Sequence, residues 1–268
     1  GTALLRLVRE FKPVTPDEPP VYEENGTEII VSPIRYITSL PKEAKPVVVG
    51  ENPAWFYLKK RGFQESDLAR TKAHYVASSN CPVYDSTGKY KGDIGNRVLF
   101  PIYHANKLCG WIGRSIKDDG SFKYFNSPET DISKTLWPYV PPFEDHAVIV
   151  EGLLDALSVR RVPNVAAYAT FGKKISTEQI QILKSWGVKS VTLWFDKKDA
   201  VRDMIKNVEV LKLHFQEVYV LDMKAWDPKK DTGYYLSQAD GPDIIGNTLK
   251  KRINVYDELE YAAWTQNF

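Results

Sequence analysis

From about residue 146 the apolar positions fall into short unbroken runs separated by longer amphipathic stretches. "AVIV" runs into Glu151, and "VAAYAT", "SVTLWF" and "EVYVLDM" follow at intervals. Between them, "GLLDALSVRR", the capped stretch "STEQIQILKSW" and "AVRDMIKNVEVLKLHF" predict helices. Strands alternating with helices imply right-handed crossovers and a parallel sheet, so this half is α/β. "GPDIIGNTLKKRINVYDELEYAAW" then predicts a helical tail.

The earlier half has another rhythm. "GENPAWFYLKKRGFQESDLAR" predicts two short helices. Asn52 caps the first, Pro53 lies in its first turn and Gly62 ends it, while the second starts at Ser66. "RVLFPIY" and "LCGWIGRSI" predict a β-hairpin closed by "HANK", and "DDGSFKYFNSPE" a loop-rich continuation. "FKPVTPDEPPVYEENGTE" reads as a linker or extended arm. The expected boundaries are an arm over 1–50, a mixed α+β subdomain over 51–145, an α/β domain over 146–240 and a helical segment over 241–268. The whole is α+β.

Composition changes this picture little. At 268 residues, with 43% hydrophobic and 12% aromatic side chains, the chain can build a real core. The net charge of +2 leaves any basic face masked by an acidic one. Cys81 and Cys109 are the two cysteines, at a spacing that fits no metal motif. So few thiols without a secretory leader lead us to expect a reducing, cytoplasmic setting, and no apolar run approaches transmembrane length. The chain starts at Gly1 rather than Met, so further sequence upstream is expected.

The candidate chemistry lies at the strand ends, where sites form in open α/β sheets. Glu151 ends "AVIV", Asp196 ends "SVTLWF", and Asp227 and Asp231 follow "EVYVLDMKAW". A single acid there is usually a helix cap or a solvated loop residue. Acids after three successive strands, the first followed by glycine, point to a site instead. Oxygen ligands without His or Cys suit Mg²⁺ or Mn²⁺, and such ions can clamp the oxygens of a phosphoryl transfer.

Several of these stretches carry a family resemblance. "VIVEGLLDAL" resembles the glutamate motif of the TOPRIM domain in DnaG-type primases, and "LWFDKKDAVRDM" resembles the aspartate motif after it. "RVLFPIY", "GWIGRSI" and "KYFNSPET" are similar to signature stretches of the primase RNA-polymerase core. "AWFYLKKRGFQESDL" resembles the helical pair before it. The likeness runs from roughly Ser39 to Asp231, and "SLP" together with the diverged aspartate region is closest to phage primases. It implies a TOPRIM-type parallel sheet flanked by helices, a basic α+β subdomain before it and a helical tail after it.

The resemblance also implies roles. Glu151 acts on a metal ion or as a base near the primer hydroxyl. Asp155, one helical turn on, supports it. Asp196 is a metal ligand, and two or more ions are held with Asp199, Asp227 and Asp231. Arg97, Arg114, Lys123 and Lys134 form a basic ridge for template phosphates and the incoming triphosphate, with Tyr124 and Asn126 beside it. Trp111 or Tyr124 stacks on bases. The family pattern departs here at two places. Lys198 stands where the second aspartate of Asp-x-Asp belongs, with Asp199 one place later. Lys229 stands in "DPKKD" where the family has Asp-Pro-Asp, unless Lys230 and Asp231 are the true match. Either Asp199 and Asp231 take over as ligands or the lysines disarm the site. The retained Glu151 and Asp196 favour takeover, with weakened metal binding.

The implied activity is synthesis of short RNA primers from NTPs on a single-stranded DNA template, passing through an RNA–DNA heteroduplex. The alternatives are a TOPRIM nuclease and a disarmed single-strand-binding module coupled to a helicase. Zinc belongs only to a separate upstream primase domain, since no His/Cys cluster with zinc spacing occurs here. The tail from Pro242 either contacts a replicative helicase or folds back on the sheet. No membrane partner is expected, and for a phage protein the setting is the host cytoplasm.

Overall fold

The computed structural model describes residues 22–24, 27–29, 34–117, 122–195, 201–221 and 232–266. Residues 1–33 and 34–268 are separate compact units. In the first, β1 (Tyr22–Glu24) and β2 (Thr27–Ile29) pair antiparallel, with Tyr22 opposite Ile29. The expected arm over 1–50 is therefore corrected. Part of it is a hairpin, and residues from Ile34 on belong to the second unit, where β3 (Ala44–Pro46) joins a sheet.

That sheet is antiparallel. Its strand order is β3, β4 (His74–Val76), β7 (Arg97–His104), β8 (Lys107–Ser115) and β9 (Tyr124–Asn126). β5 (Pro82–Tyr84) and β6 (Tyr90–Asp93) form a small separate hairpin. The β7–β8 turn is tight because Ala105 and Asn106 both take positive φ, 46° and 64°, which matches the strand twist. β9 arises inside the stretch expected to be loop.

Two helices lie between β3 and β4. The Asn52 side chain accepts from the Trp55 N–H at 3.1 Å and opens α1 (Pro53–Lys60). Gly62 ends it with φ +86°, and a Cβ there would run into the Leu236 carbonyl. α2 (Glu65–Thr71) starts earlier than the Ser66 cap expected, because the Asp67 carboxylate accepts from the Gln64 N–H at 2.8 Å.

The second sheet runs β11 (Ala167–Ala169), β10 (His146–Val150), β12 (Ser190–Trp194), β13 (Glu217–Leu221) and β14 (Arg252–Asn254). The first four are parallel; β14 is antiparallel to β13. The crossovers carry α3 (Leu153–Val159), α4 (Thr177–Ser185) and α5 (Val201–Leu211). Ser176 caps α4, accepting from the Gln179 N–H at 3.2 Å. The expected all-helical tail is corrected: α6 (Gly241–Leu249) and α7 (Glu258–Thr265) flank β14. The tail folds back on the sheet, where the Trp264 indole donates to the Leu221 carbonyl at 2.9 Å.

One hydrophobic cluster is continuous from Trp55, Leu58, Phe63 and Phe100 to Val150, Leu157, Leu236 and Ile245, so both sheets share a core. Arg161 reinforces this junction. It donates to the Leu236 carbonyl (2.8 Å), the Gly62 carbonyl (2.7 Å) and the Asp67 carboxylate (2.6 Å). Asp67 is only 1% exposed, so it depends on that partner. No described helix is long and apolar enough to cross a membrane.

Candidate active site

The parallel sheet positions the first candidate by topology. From β10 the chain crosses to β11 on one side, then returns past β10 to β12 on the other. Strand order reverses between β10 and β12, and a crevice opens beyond the carboxyl ends of such a pair. Val150 and Trp194 are register partners there, and Glu151 follows at once. The Glu151 carbonyl accepts from the Phe171 N–H at 3.0 Å. Its carboxylate has no hydrogen-bond partner among the described residues and is half-buried. An acid left without a protein donor at a switch point is available to a ligand.

The loop after β11 closes one side of this position. Phe171 takes φ +62°, a strained conformation for a non-glycine residue. The Asn207 side chain holds the loop, accepting from the Ile175 N–H (3.1 Å) and donating to the Lys173 carbonyl (2.7 Å). Lys173 and Lys174 thus belong to the strand-end loops, as Glu151 does. They are missing from the sequence-derived set, although the same strand-end rule that selected the acids would have found them.

Asp155 has a more structural setting than expected. One carboxylate oxygen accepts from the Gly152 N–H at 3.1 Å. The other accepts from the Thr232 hydroxyl (2.7 Å) and the Gly233 N–H (3.0 Å). It ties the Glu151–Gly152 turn to the start of the 3₁₀ turn at Thr232–Ser237. Asp196, Asp199, Asp227 and Asp231, with Lys198 and Lys229, lie outside the described residues, and no metal-sized group of His, Cys, Asp and Glu occurs among the described ones. The acids the sequence brings to these strand ends are all oxygen donors. With the unpartnered Glu151 carboxylate, that donor chemistry fits a hard divalent cation.

The antiparallel sheet does not form the exposed basic ridge expected. Arg97 and Arg114 are each only 5% exposed. They also point to opposite faces, because Val98 and not Arg97 is the register partner of Arg114. Arg97 Nε donates to the Asp93 carbonyl at 3.3 Å. Arg114 Nε donates to the Tyr57 hydroxyl at 2.9 Å, and its guanidinium lies 4.5 Å from the Tyr124 ring centre. Lys134 lies 3.7 Å from Asp131, which Arg35 also binds. Lys123 and Asn126 are exposed.

The two aromatic candidates separate. Trp111 is 3% exposed and stacks on Phe125, so it cannot meet a base and that expectation is corrected. Tyr124 is half exposed. Burial is the main cause raising its hydroxyl pKa, Arg114 and Arg61 oppose this, and Asp155 adds to it. The charge of Asp155, beside the second sheet, thus acts on Tyr124 of the first.

Two family models match this chain. Residues 57–136 match the DNA primase catalytic core, N-terminal domain, and residues 148–235 match a Toprim-like domain. A DNA primase of Thermotoga maritima is 29% identical over 86% of this chain and 43% of its own length. One of Clostridium acetobutylicum is 30% identical over 50% of this chain and 22% of its own. The chain thus spans less than half of each of these relatives. In fold it is similar to the Aquifex aeolicus primase zinc-binding and RNA polymerase domains (TM-score 0.63, 21% identity, covering 78% of this chain and 58% of that one). It is also similar to a DnaG primase catalytic domain bound to single-stranded DNA (TM-score 0.62, 18% identity, 81% and 78% covered). The relatives named are bacterial and do not bear on a phage origin.

Proposed function

We propose that this chain, which carries the N-terminal domain of the DnaG primase catalytic core followed by a Toprim-like domain, is a primase core that makes short RNA primers on single-stranded DNA. The observation that carries the reading is the convergence of Tyr124 and Arg114 from one sheet with Asp155 and the Glu151 turn from the other. A nucleotidyl transfer needs both halves: one to hold template and triphosphate, one to manage charge at phosphorus.

In the proposed reaction the 3′ oxygen of one nucleotide forms a bond to the α-phosphorus of the next, and the bond to pyrophosphate breaks. Glu151 would lie beside the reacting groups. Asp155 would keep the Glu151 turn and the Thr232 turn in fixed relation, so reactants meet without further ordering. Tyr124 would stack on a base, and Lys123 and Asn126 would contact the strand. Mg²⁺ or Mn²⁺ would be held by Glu151 with Asp196, Asp199, Asp227 and Asp231, and would supply neutralisation of charge on the phosphate oxygens. As partners we propose a zinc-binding primase module and a replicative helicase, in the cytoplasm.

The test is incubation of the chain with labelled NTPs, a single-stranded oligonucleotide, and Mg²⁺ or Mn²⁺, with a zinc-binding module supplied in trans. The reading predicts short new RNA. Shortening of the oligonucleotide would replace it with a nuclease. Oligonucleotide binding with neither product would leave a binding module.

A further inference from the structure

We propose that Tyr84 and Tyr90, on the β5–β6 hairpin, form a second stacking platform for single-stranded nucleic acid, continuing the path that starts at Lys123 and Tyr124. This rests on the reading that puts the template strand at β9. Tyr84 and Tyr90 are register partners, each a little over half exposed, with ring centres 5.9 Å apart in an edge-to-face arrangement. The rings brace one another and keep aromatic surface open to solvent, which suits stacking on bases of any sequence. Val83, next to Tyr84, turns the other way and packs on the cluster of Cys81, Leu99 and Trp111. The tyrosines therefore mark the outward side of the hairpin.

The hairpin is fixed to the β9 region on both sides of the pair. Gly92, two residues after Tyr90, lies so close to Phe125 of β9 that a Cβ would run into its ring. Ser86, two residues after Tyr84, donates its N–H and its hydroxyl to the Glu129 carboxylate, both at 2.7 Å. β9 is the edge of its sheet, so no further strand of that sheet separates Lys123 and Tyr124 from the hairpin. The charges favour a phosphate backbone. Lys89 and Lys91 flank Tyr90 and are exposed, as Lys123 is. The nearby acids are engaged within the protein. Asp85 accepts from the Thr87 and Lys89 N–H groups and lies 3.4 Å from Lys91. Asp93 accepts from the Cys81 and Gly95 N–H groups, and Glu129 holds Ser86. Lysine is depleted at protein–protein contacts, so polar-tipped rings among lysines fit a nucleic-acid strand better than a protein face.

The test is anisotropy on the full chain with two labelled single strands, one of about 5 nucleotides, enough for one site, and one of about 20, enough to span both. The wild type should bind the longer strand more tightly. Tyr84→Ala combined with Tyr90→Ala should weaken binding of the longer strand about tenfold or more, the size of a lost base stack, and leave the shorter within about twofold. Phenylalanine at both positions should restore the wild-type affinity, because stacking needs the ring and not the hydroxyl. No loss in the alanine variant, an equal loss on both lengths, or no rescue by phenylalanine would overturn the proposal. If urea titration shows that the alanine variant does not fold, Lys89→Gln decides. The salt dependence of longer-strand binding should then fall by about one phosphate contact, and an unchanged slope overturns the platform. A loss confined to the longer strand, in a chain that makes no primers, would keep the platform and remove the primase reading.

Discussion

In the antiparallel sheet the arginines sit on the strands themselves and are almost wholly buried, Arg97 beside a carbonyl and Arg114 between two tyrosines. In the parallel sheet β10 and β12 are largely buried, their polar residues reduced to His146 and the Ser190 and Thr192 hydroxyls it bonds, and the candidate acid comes only after the last strand residue. The difference follows from what each sheet must do with its backbone. Parallel strands covered on both faces cannot carry charge, so polar chemistry is pushed to their ends. In the antiparallel sheet each buried arginine is held by local partners, Arg97 by the Asp93 carbonyl and Arg114 by the Tyr57 hydroxyl and the Tyr124 ring. One sheet thus fixes its arginines inside, and the other leaves its described candidate acid, Glu151, just beyond a strand end.

The sharpest way to test the contrast is within one strand pair. Trp111→Ala should destabilise the fold by about 4 kcal/mol, because the indole is core. Tyr124→Ala should change stability by about 0.5 kcal/mol or less and weaken oligonucleotide binding by about 1–3 kcal/mol. Urea titration and anisotropy read the two effects, and equal stability losses would erase the distinction. Next is the joint between the sheets. Arg161→Met strands the buried Asp67 carboxylate and should cost about 3 kcal/mol in urea unfolding, against a fraction of that for the exposed Arg35.

A smaller effect belongs to the parallel sheet alone. His146 lies between the Ser190 and Thr192 hydroxyls, and burial, helped by Arg252, pushes its pKa from 6.5 down to about 4. The folded state therefore favours neutral imidazole. Its contribution is present above pH 6.5 and is lost as pH falls from there through about 4. His146→Asn should flatten stability across that window; an unchanged slope would show that other groups set it. Smallest is the cap of α1. Asn52→Ala should cost about 1 kcal/mol in urea unfolding without altering oligonucleotide affinity.

The legibility of the chain follows the same divide. Unbroken apolar runs gave away β10 to β13, because a strand buried on both faces leaves no polar alternation to misread. β14 escaped: "RIN" is a short edge strand inside a helical rhythm, held by its pairing with β13. Glu151 was legible as an acid directly after a strand with glycine behind it. The burial of Arg97 and Arg114 was not, since Tyr57, distant in sequence, is what makes an arginine at 114 acceptable inside. Trp111 was misread as a stacking surface because nothing local distinguishes the inward side of that strand from the outward one.

The proposed function divides labour between the antiparallel sheet, which would hold nucleic acid, and a strand-end acid, which would serve the chemistry. Glu151→Gln, measured in parallel for primer synthesis and for oligonucleotide affinity, tests it most directly. The expected result is synthesis reduced by about a hundredfold or more, in the range seen when a charged active-site group is removed, with affinity within about twofold of wild type. Primer synthesis at the wild-type rate in Glu151→Gln would contradict it.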